Sequence, residues 1–583
     1  MFDNPAPKLS EANEKRHEKL REFLLRFLQT RGPVTITEIL QRYPLNHDEV
    51  EMALSELAKS GAVYRGRLTR EAGEEQWCDR RHFEQLYRRA IQERRRAFAA
   101  KPIENFLHFL WRWHQIGQLQ NAAQLLPLLQ RWRGLFLPID FLEREMLRAR
   151  LPNTPFTQLF AACHLQLASL CQQGELIWRL YQEDKGHAKL VQFFFRGEGH
   201  LFYTREQLSE QATQLSTPAQ KVREFLRENG ASFFRDLVAG INLSKPQLVE
   251  GLAELAWRGL VTNDSLHTLY ELAEHGTPRP PETELSNDKS LSTPRTADND
   301  LQQFLEAKLP EWRKRDYALR HRRYARRREE FRRESRQAEM LQLTEGRWSL
   351  VESFAIYGKP ATTAEGDVHP DDRSLAHRQA YLLLERYGIL VKEWYRRETG
   401  LLPWYVLFQG LKRMEWRGEV RRGYFVQGLS GVQFALPHAA EMLAAEGSGE
   451  ISSGPVMLSM LDPAVPYGSG VNLPLLDANN KPLPIVRQAG NHLLFLNAKP
   501  VVYAENFGTR LWRLAAATDE QLAASLVCLR QFLLLPEPFR PRKRLEVETW
   551  DGAPVTATPA VAWLQQHGFE REEQKMVLWP SRL

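Results

Sequence analysis

Between Trp312 and Gln337 the chain carries twelve Arg and Lys residues against four Asp and Glu, its densest charge. Within that stretch Arg320, Arg322, Arg323, Arg326 and Arg327 surround Tyr317, Tyr324 and Phe331, three aromatics spaced seven apart. On a helix this spacing draws one aromatic stripe flanked by guanidinium groups. A run of one sign repels itself unless a polyanion neutralises it. The chemistry it points to is contact with phosphate, which weakens steeply with salt. The stripe reads as a docking seam on a neighbouring domain or as a stacking ladder for single-stranded bases. The formal net charge of the whole chain is +7, less than this segment's own excess, so the rest is a mixed-charge surface.

Other chemistries find little support. The Gly358-Lys359 pair is followed by Pro360, and Ser353 stands where a phosphate-binding loop needs its first glycine, so no ATP motor is expected. No zinc-protease or nucleophile-elbow motif occurs, and Cys78, Cys163, Cys171 and Cys528 form no C-x-x-C pair, so no metal and no cofactor is expected. Glu143, Glu145 and Asp551 are candidate acids, but nothing in their spacing marks a catalytic site, and solvated surface charge is the plain alternative.

The elements that would position a nucleic acid are announced by a phrase that returns four times. Glu56-Leu57-Ala58-Lys59-Ser60-Gly61-Ala62-Val63, Ser169-Leu170-Cys171-Gln172-Gln173-Gly174-Glu175-Leu176, Glu254-Leu255-Ala256-Trp257-Arg258-Gly259-Leu260-Val261 and Arg413-Met414-Glu415-Trp416-Arg417-Gly418-Glu419-Val420 each read as a helix stopped by glycine and continued as a strand. That is how a winged helix leaves its recognition helix, and four copies argue for an array of such domains. The exposed side of the recognition positions would carry Asn46, His47, Glu49, Lys245, Gln247, Tyr405 and Gln409, with Arg421 and Arg422 on a wing. Several wings in such an array would serve protein contacts instead.

The fold class expected is α+β, mostly α: a tandem array of winged-helix domains followed by a small β-barrel-like domain. Residues 1–92 form a winged helix, 93–205 a helical and winged-helix pair, and 216–272 a third unit. Residues 273–300, rich in Pro, Ser, Thr and Asp, read as a flexible linker, since they cannot bury enough to offset ordering entropy. The Arg-rich helix occupies 301–345, a further winged helix 346–445, and the barrel-like domain 446–583, with a closing helix from Thr558-Pro559 to Gly568. The tryptophans and phenylalanines between Phe106 and Phe141 read as packing rather than as base-stacking platforms.

An ordered series of phrases carries a resemblance: Trp77-Cys78-Asp79-Arg80, Phe109-Leu110-Trp111-Arg112-Trp113-His114, Gly346-Arg347-Trp348-Ser349-Leu350, Arg386-Tyr387-Gly388-Ile389-Leu390, Arg421-Arg422-Gly423-Tyr424-Phe425-Val426, Gln433-Phe434-Ala435-Leu436-Pro437 and Asp462-Pro463-Ala464-Val465-Pro466-Tyr467-Gly468. Together they resemble the carboxy-terminal region of the bacterial large helicase-related (Lhr) family. The resemblance implies tandem winged helices and a β-barrel module appended to a superfamily 2 helicase that acts on DNA and RNA–DNA duplexes in repair. The helicase motor itself is absent, and Arg131-Trp132-Arg133-Gly134 stands where members of the family often read Gln-Leu-Gln-Gly. The later modules of the family are similar in fold to winged-helix DNA glycosylases, in which a polar group positions water against the sugar of a flipped nucleotide. Three functions are therefore carried forward. The chain is a DNA-gripping module of a repair helicase, on single-stranded DNA or a hybrid duplex, with motor domains in the same or a partner chain; or a glycosylase for uracil or alkylated bases; or a homo-oligomeric scaffold for a motor. A cytoplasmic, chromosome-associated protein with no membrane partner is expected.

Overall fold

The four repeated phrases close their helices with one hydrogen-bond pattern. In each, the glycine N–H returns to the carbonyl three residues back and the next N–H to the carbonyl five back: Gly61 to Ala58 and Ala62 to Leu57, Gly174 to Cys171 and Glu175 to Leu170, Gly259 to Ala256 and Leu260 to Leu255, Gly418 to Glu415 and Glu419 to Met414. The glycines lie at φ between +63° and +78°, the left-handed region the double closure requires. A fifth helix, Ala560–Gln566, ends in the same way, with Gly568 bonded to Gln565 and Phe569 to Leu564.

The computed structural model describes residues 6–69, 73–96, 98–152, 156–182, 189–275, 343–358, 375–446, 454–468, 471–535 and 539–583. The linker 276–300 and the Arg-rich segment, with Arg320, Arg322, Arg323, Arg326 and Arg327, lie outside the described residues. The chain divides into two compact units at the 99/100 boundary. It is mostly helical with small sheets.

In the first unit the helix Ala6–Leu28, the strand Val34–Thr35, the helices Ile36–Arg42 and His47–Lys59, and the strands Val63–Gly66 and Gln76–Asp79 follow in order. The third strand lies between the other two. Leu24, Leu28, Ile39, Val50, Leu54, Leu57 and Trp77 make its core.

In the second unit the same first–third–second strand order appears in the sheets Phe136–Pro138, Lys189–Phe195, Leu176–Gln182 and Ile389–Leu390, Gln433–Ala435, Arg421–Gly423. It appears again in Ser232–Phe233, Arg347–Leu350, Val261–Asn263, where the central strand comes from far along the chain: Ser232 pairs with Trp348, and Val261 with Leu350. The sequence division at 346 had given that strand to the following segment. Phe106, Phe109, Trp111, Trp113, Trp132 and Phe141 are buried, as the packing reading expects.

The region read as barrel-like is not a closed barrel among the described residues. Val456–Ser459, His492–Leu496, Lys499–Glu505, Arg510–Arg513, Thr549–Trp550 and Ala553–Pro554 form an open six-stranded sheet whose two end strands do not pair with each other. Its central strands His492–Leu496 and Lys499–Glu505 are mostly buried on both faces. Leu493, Phe495 and Tyr503 pack on Leu107 and Trp111, while Leu494, Val502 and Ala504 pack on Leu522, Leu526 and Phe532. A barrel of this size would fill its interior with its own side chains, whereas this sheet takes helices as cover on each side. The alternating run Leu545 to Trp550 is split between two sheets, and two further strands, Glu570–Glu572 and Lys575–Leu578, follow the helix read as closing.

Candidate nucleic-acid interface

Helix Trp404–Arg417 buries Leu407, Gly410, Leu411 and Met414 toward the helix Leu375–Tyr387. Spacings of three and four place the other face outward. There Tyr405 is 71% exposed, Gln409 and Arg413 are exposed, and the Lys412 ammonium lies 5.0 Å from the Phe408 ring centroid. Arg413 has no carboxylate partner among the described residues. An aromatic face, an amide and a guanidinium thus share one ridge, with Tyr424, 64% exposed, beyond the adjoining strand. Stacking, base-edge hydrogen bonding and phosphate contact are the chemistries these groups supply.

The wing arginines part company. Arg421 is exposed and its Nη2 lies 2.5 Å from the exposed Glu441, a surface pair that costs little to exchange for phosphate. Arg422 turns inward, 3.8 Å from the buried Glu415 and over the rings of Phe408 and Phe434.

Two of the other expected readers are caps. Gln247 Oε1 accepts from the Ser244 backbone N–H at 3.0 Å and from its hydroxyl at 2.9 Å. Asn46 Oδ1 accepts from the N–H groups of Asp48 at 2.9 Å and Glu49 at 3.4 Å. Both side chains satisfy the open end of a helix, which is why short polar residues sit there. Lys245, the first residue of helix Lys245–Trp257, is exposed, and so is His47; Glu49 pairs with Arg16 at 3.5 Å.

Of the candidate acids, two are not surface groups. Leu142–Leu147 is a π-helical turn that buries Glu143, Arg144 and Glu145. His164 Nδ1 donates to Glu143 at 2.7 Å and the Tyr270 hydroxyl donates to its other oxygen. That hydrogen bond raises the His164 imidazole above its ordinary value, and burial followed by the Glu143 charge pushes Tyr270 well up. His164 remains partly exposed, so solvent reaches the pair from its side.

Glu145 contacts the buried His492 at 2.9 Å and accepts from Arg144 Nε at 3.2 Å. Burial alone would raise its carboxyl, but those two neighbours hold it below the usual range. Asp551 serves a turn, with Oδ1 accepting the Arg513 N–H at 2.7 Å. A signal for the buried acids was present in the sequence, since Glu143-Arg144-Glu145 is enclosed by Phe141-Leu142 and Met146-Leu147.

The departure at Arg131-Trp132-Arg133 lies in a packed junction. Arg133 is 3.0 Å from Glu385 and 3.4 Å from Glu198, and Arg131 lies over Trp113 at 4.5 Å. The buried Arg386 donates to the carbonyls of Arg131 and Arg133 and pairs with Glu398. These side chains are engaged with the protein's own groups. Beside them Arg150 is closed on Asp462, and His114, fully buried, is held well below its ordinary value by burial and then by Arg150, Arg131 and Arg386. Among the described residues no cluster of His, Cys, Asp and Glu suits a metal ion, and no helix is long and apolar enough to cross a membrane.

Comparison with known proteins places this geometry. Residues 369–452, which hold the exposed helix and its wing, match the family model described as large helicase-related protein, winged-helix domain. The "Lhr helicase/ probable uracil glycosylase" of Mycolicibacterium smegmatis (strain ATCC 700084 / mc(2)155) is 25% identical over 520 residues, covering 88% of this chain and 30% of the relative. The "Lhr helicase/uracil glycosylase" of Escherichia coli (strain K12) is 24% identical over 589 residues, covering 95% and 33%. The chain thus spans about a third of the length of the curated relatives it matches. Among solved structures, Streptomyces sahachiroi DNA glycosylase AlkZ aligns over 74% of this chain and 97% of its own at 12% identity, with a TM-score of 0.33. With a winged-helix domain of the large helicase-related family matched over residues 369–452, and relatives named Lhr aligned along nearly the whole sequence, the chain is similar to large helicase-related proteins over most of its length.

Proposed function

We propose that this chain is a nucleic-acid-gripping module of an Lhr-type repair helicase, an array of winged-helix units that holds DNA for motor domains in the same or another polypeptide. The observation that carries this is the ridge of Tyr405, Gln409 and Arg413, outward-facing in the segment that matches the family's winged-helix domain. Arg421 and Lys245 add cations, and the Arg320 to Arg327 cluster supplies a phosphate-binding stretch from its composition. Single-stranded DNA or a hybrid duplex suits a surface that offers stacking as well as charge. The protein would work in the cytoplasm on the chromosome, and self-association would multiply its contacts.

The test is fluorescence anisotropy of the chain on single-stranded, duplex and hybrid oligonucleotides between 50 and 200 mM salt, about the range over which phosphate contacts are lost. Tyr405→Ala with Arg413→Ala should weaken binding by at least about fivefold, because stacking on one base is worth about 1–3 kcal/mol. Unchanged affinity and salt slope in that variant would refute the assignment of this ridge.

A second reading, base excision, is favoured by one observation: Glu143 is buried and bonded to the partly exposed His164, an acid and imidazole arranged to activate water. Two relatives bear names that include uracil glycosylase. Incubation with uracil-containing DNA should then yield alkali-labile sites, lost in Glu143→Gln; no strand breakage from the unaltered chain removes this reading.

A further inference from the structure

A cleft of about 680 Å³ lies between the sheet that holds Leu176–Gln182 and the sheet completed by Arg347–Leu350. Four guanidinium groups, Arg196, Arg205, Arg227 and Arg347, line it against two carboxylates, Asp264 and Glu352. The carboxylates are already engaged. Asp264 accepts from the backbone N–H of Arg347 at 2.6 Å and from its Nε at 2.7 Å, and Glu352 lies 3.2 Å from Arg223 and 3.3 Å from Arg227. Arg196 and Arg205 are exposed and have no carboxylate partner among the described residues. The cleft therefore has uncompensated positive charge with room around it.

Three further features point to a phosphate ester. Thr262 lines the cleft and is 3% exposed, and its buried hydroxyl has no hydrogen-bond partner among the described residues. A buried hydroxyl left unsatisfied costs free energy that a ligand oxygen would recover. Ser349 and Ser353 offer two more hydroxyls. Between the lining residues Ser353 and Ala355 stands Phe354, an aromatic ring 71% exposed at the margin of a cationic cleft. The volume is within the range of sites that enclose a drug-sized ligand, and it admits a phosphodiester with an attached nucleoside.

We infer that this cleft is a second strand-binding site: Arg196 and Arg205 hold a phosphodiester of single-stranded nucleic acid, the hydroxyls donate to its oxygens, and Phe354 stacks a neighbouring base. The inference deepens the proposed nucleic-acid reading but stands on different residues from the Tyr405 ridge.

The test uses the full chain with (dT)20, alone and in competition with dTMP. Arg196→Ala with Arg205→Ala should lower the slope of log affinity against log salt by about 1.4, two contacts at about 0.7 each for a single strand. Phe354→Ala should cut affinity about fivefold or more with that slope kept, and neither variant should shift the melting temperature, since the three side chains are exposed. Cleft variants that bind like the unaltered chain, while the Tyr405 and Arg413 variant is weakened, overturn this inference and leave the nucleic-acid reading in place. Competition by dTMP as effective as that by the strand overturns the strand assignment in favour of a nucleotide pocket. If the unaltered chain does not hold (dT)20, this inference is overturned, and binding of a hybrid duplex, weakened in the Tyr405 and Arg413 variant, would then uphold the ridge alone.

Discussion

Replacing Asp462 by Asn removes one charge from a pair shut away from water and changes little in shape. Arg150 and Asp462 have side-chain exposures of 0% and 1%. Arg150 Nη2 donates to Asp462 Oδ1 at 2.9 Å, and Nη1 reaches the other oxygen. Two backbone carbonyls, Met146 at 3.0 Å and His114 at 3.1 Å, and the face of Trp132 at 4.8 Å complete its surroundings. Breaking such a pair from one side costs about 3–5 kcal/mol, because the remaining charge has no counter-ion. Since the two carbonyls and Trp132 stay in place, the lower end, about 3 kcal/mol, is expected here. With a urea m-value of about 3 kcal/mol/M, the upper end for a small protein, the midpoint should fall by about 1 M, read by tryptophan fluorescence. Arg150→Met with Asp462→Leu should recover most of the loss, as apolar replacement of a whole buried pair is often neutral or stabilising. A single variant within about 0.5 kcal/mol of the unaltered chain, the range of ordinary surface changes, would refute the claim that the pair is shielded.

Two further predictions concern the same body. His114 stays neutral when folded, so below about pH 6.5 the unfolded chain binds a proton that the folded one refuses, and stability falls with falling pH by up to about 1.4 kcal/mol per unit from this group. His114→Met should flatten that part of the slope between urea midpoints measured at pH 7 and pH 5.5; an unchanged slope would contradict the assignment. Among the junction glycines, Gly418→Ala meets nothing within 4 Å and should lose only about 1–2 kcal/mol for its left-handed backbone, whereas a Cβ at Gly259 would stand 2.7 Å from Arg179 Nε and 2.8 Å from the Leu180 carbonyl. Gly259→Ala should therefore melt lower than Gly418→Ala, and the reverse order would refute the crowding argument.

What was legible in the sequence was local. A glycine after a helix dictates its own closure, so all four phrases predicted their junctions. The fifth, at His567-Gly568-Phe569, shares the geometry but not the wording, and only its stop was readable. The strand-rich region was misjudged because alternation reports which face a residue takes, not what covers that face. Helix Ile103–Trp113, hundreds of residues earlier, supplies one cover. The burial of Glu143 and Glu145 depends on Tyr270 and His492, partners 127 and 347 residues away, which spacing along the chain cannot reveal. Arg422 was right in element but turns inward, since a wing strand has both an outward and an inward use, while Gln247 stays exposed with its side-chain oxygen engaged by the cap.

The strand Arg347–Leu350 carries a kinetic consequence. Its neighbours end at Phe233 and begin at Val261, and the Asp264 and Arg347 contact beside it spans 83 residues of sequence. During synthesis the two outer strands must wait, unjoined, until the middle one emerges, so this sheet is expected to be late to assemble and to owe its delay to connectivity rather than to weak pairing. Once made, it tolerates change in the intervening length, because doubling a closed loop adds only about 0.6 kcal/mol of entropy. That latitude stops short of helix Leu266–His275, whose Leu269 and Leu272 are buried and whose Tyr270 bonds Glu143.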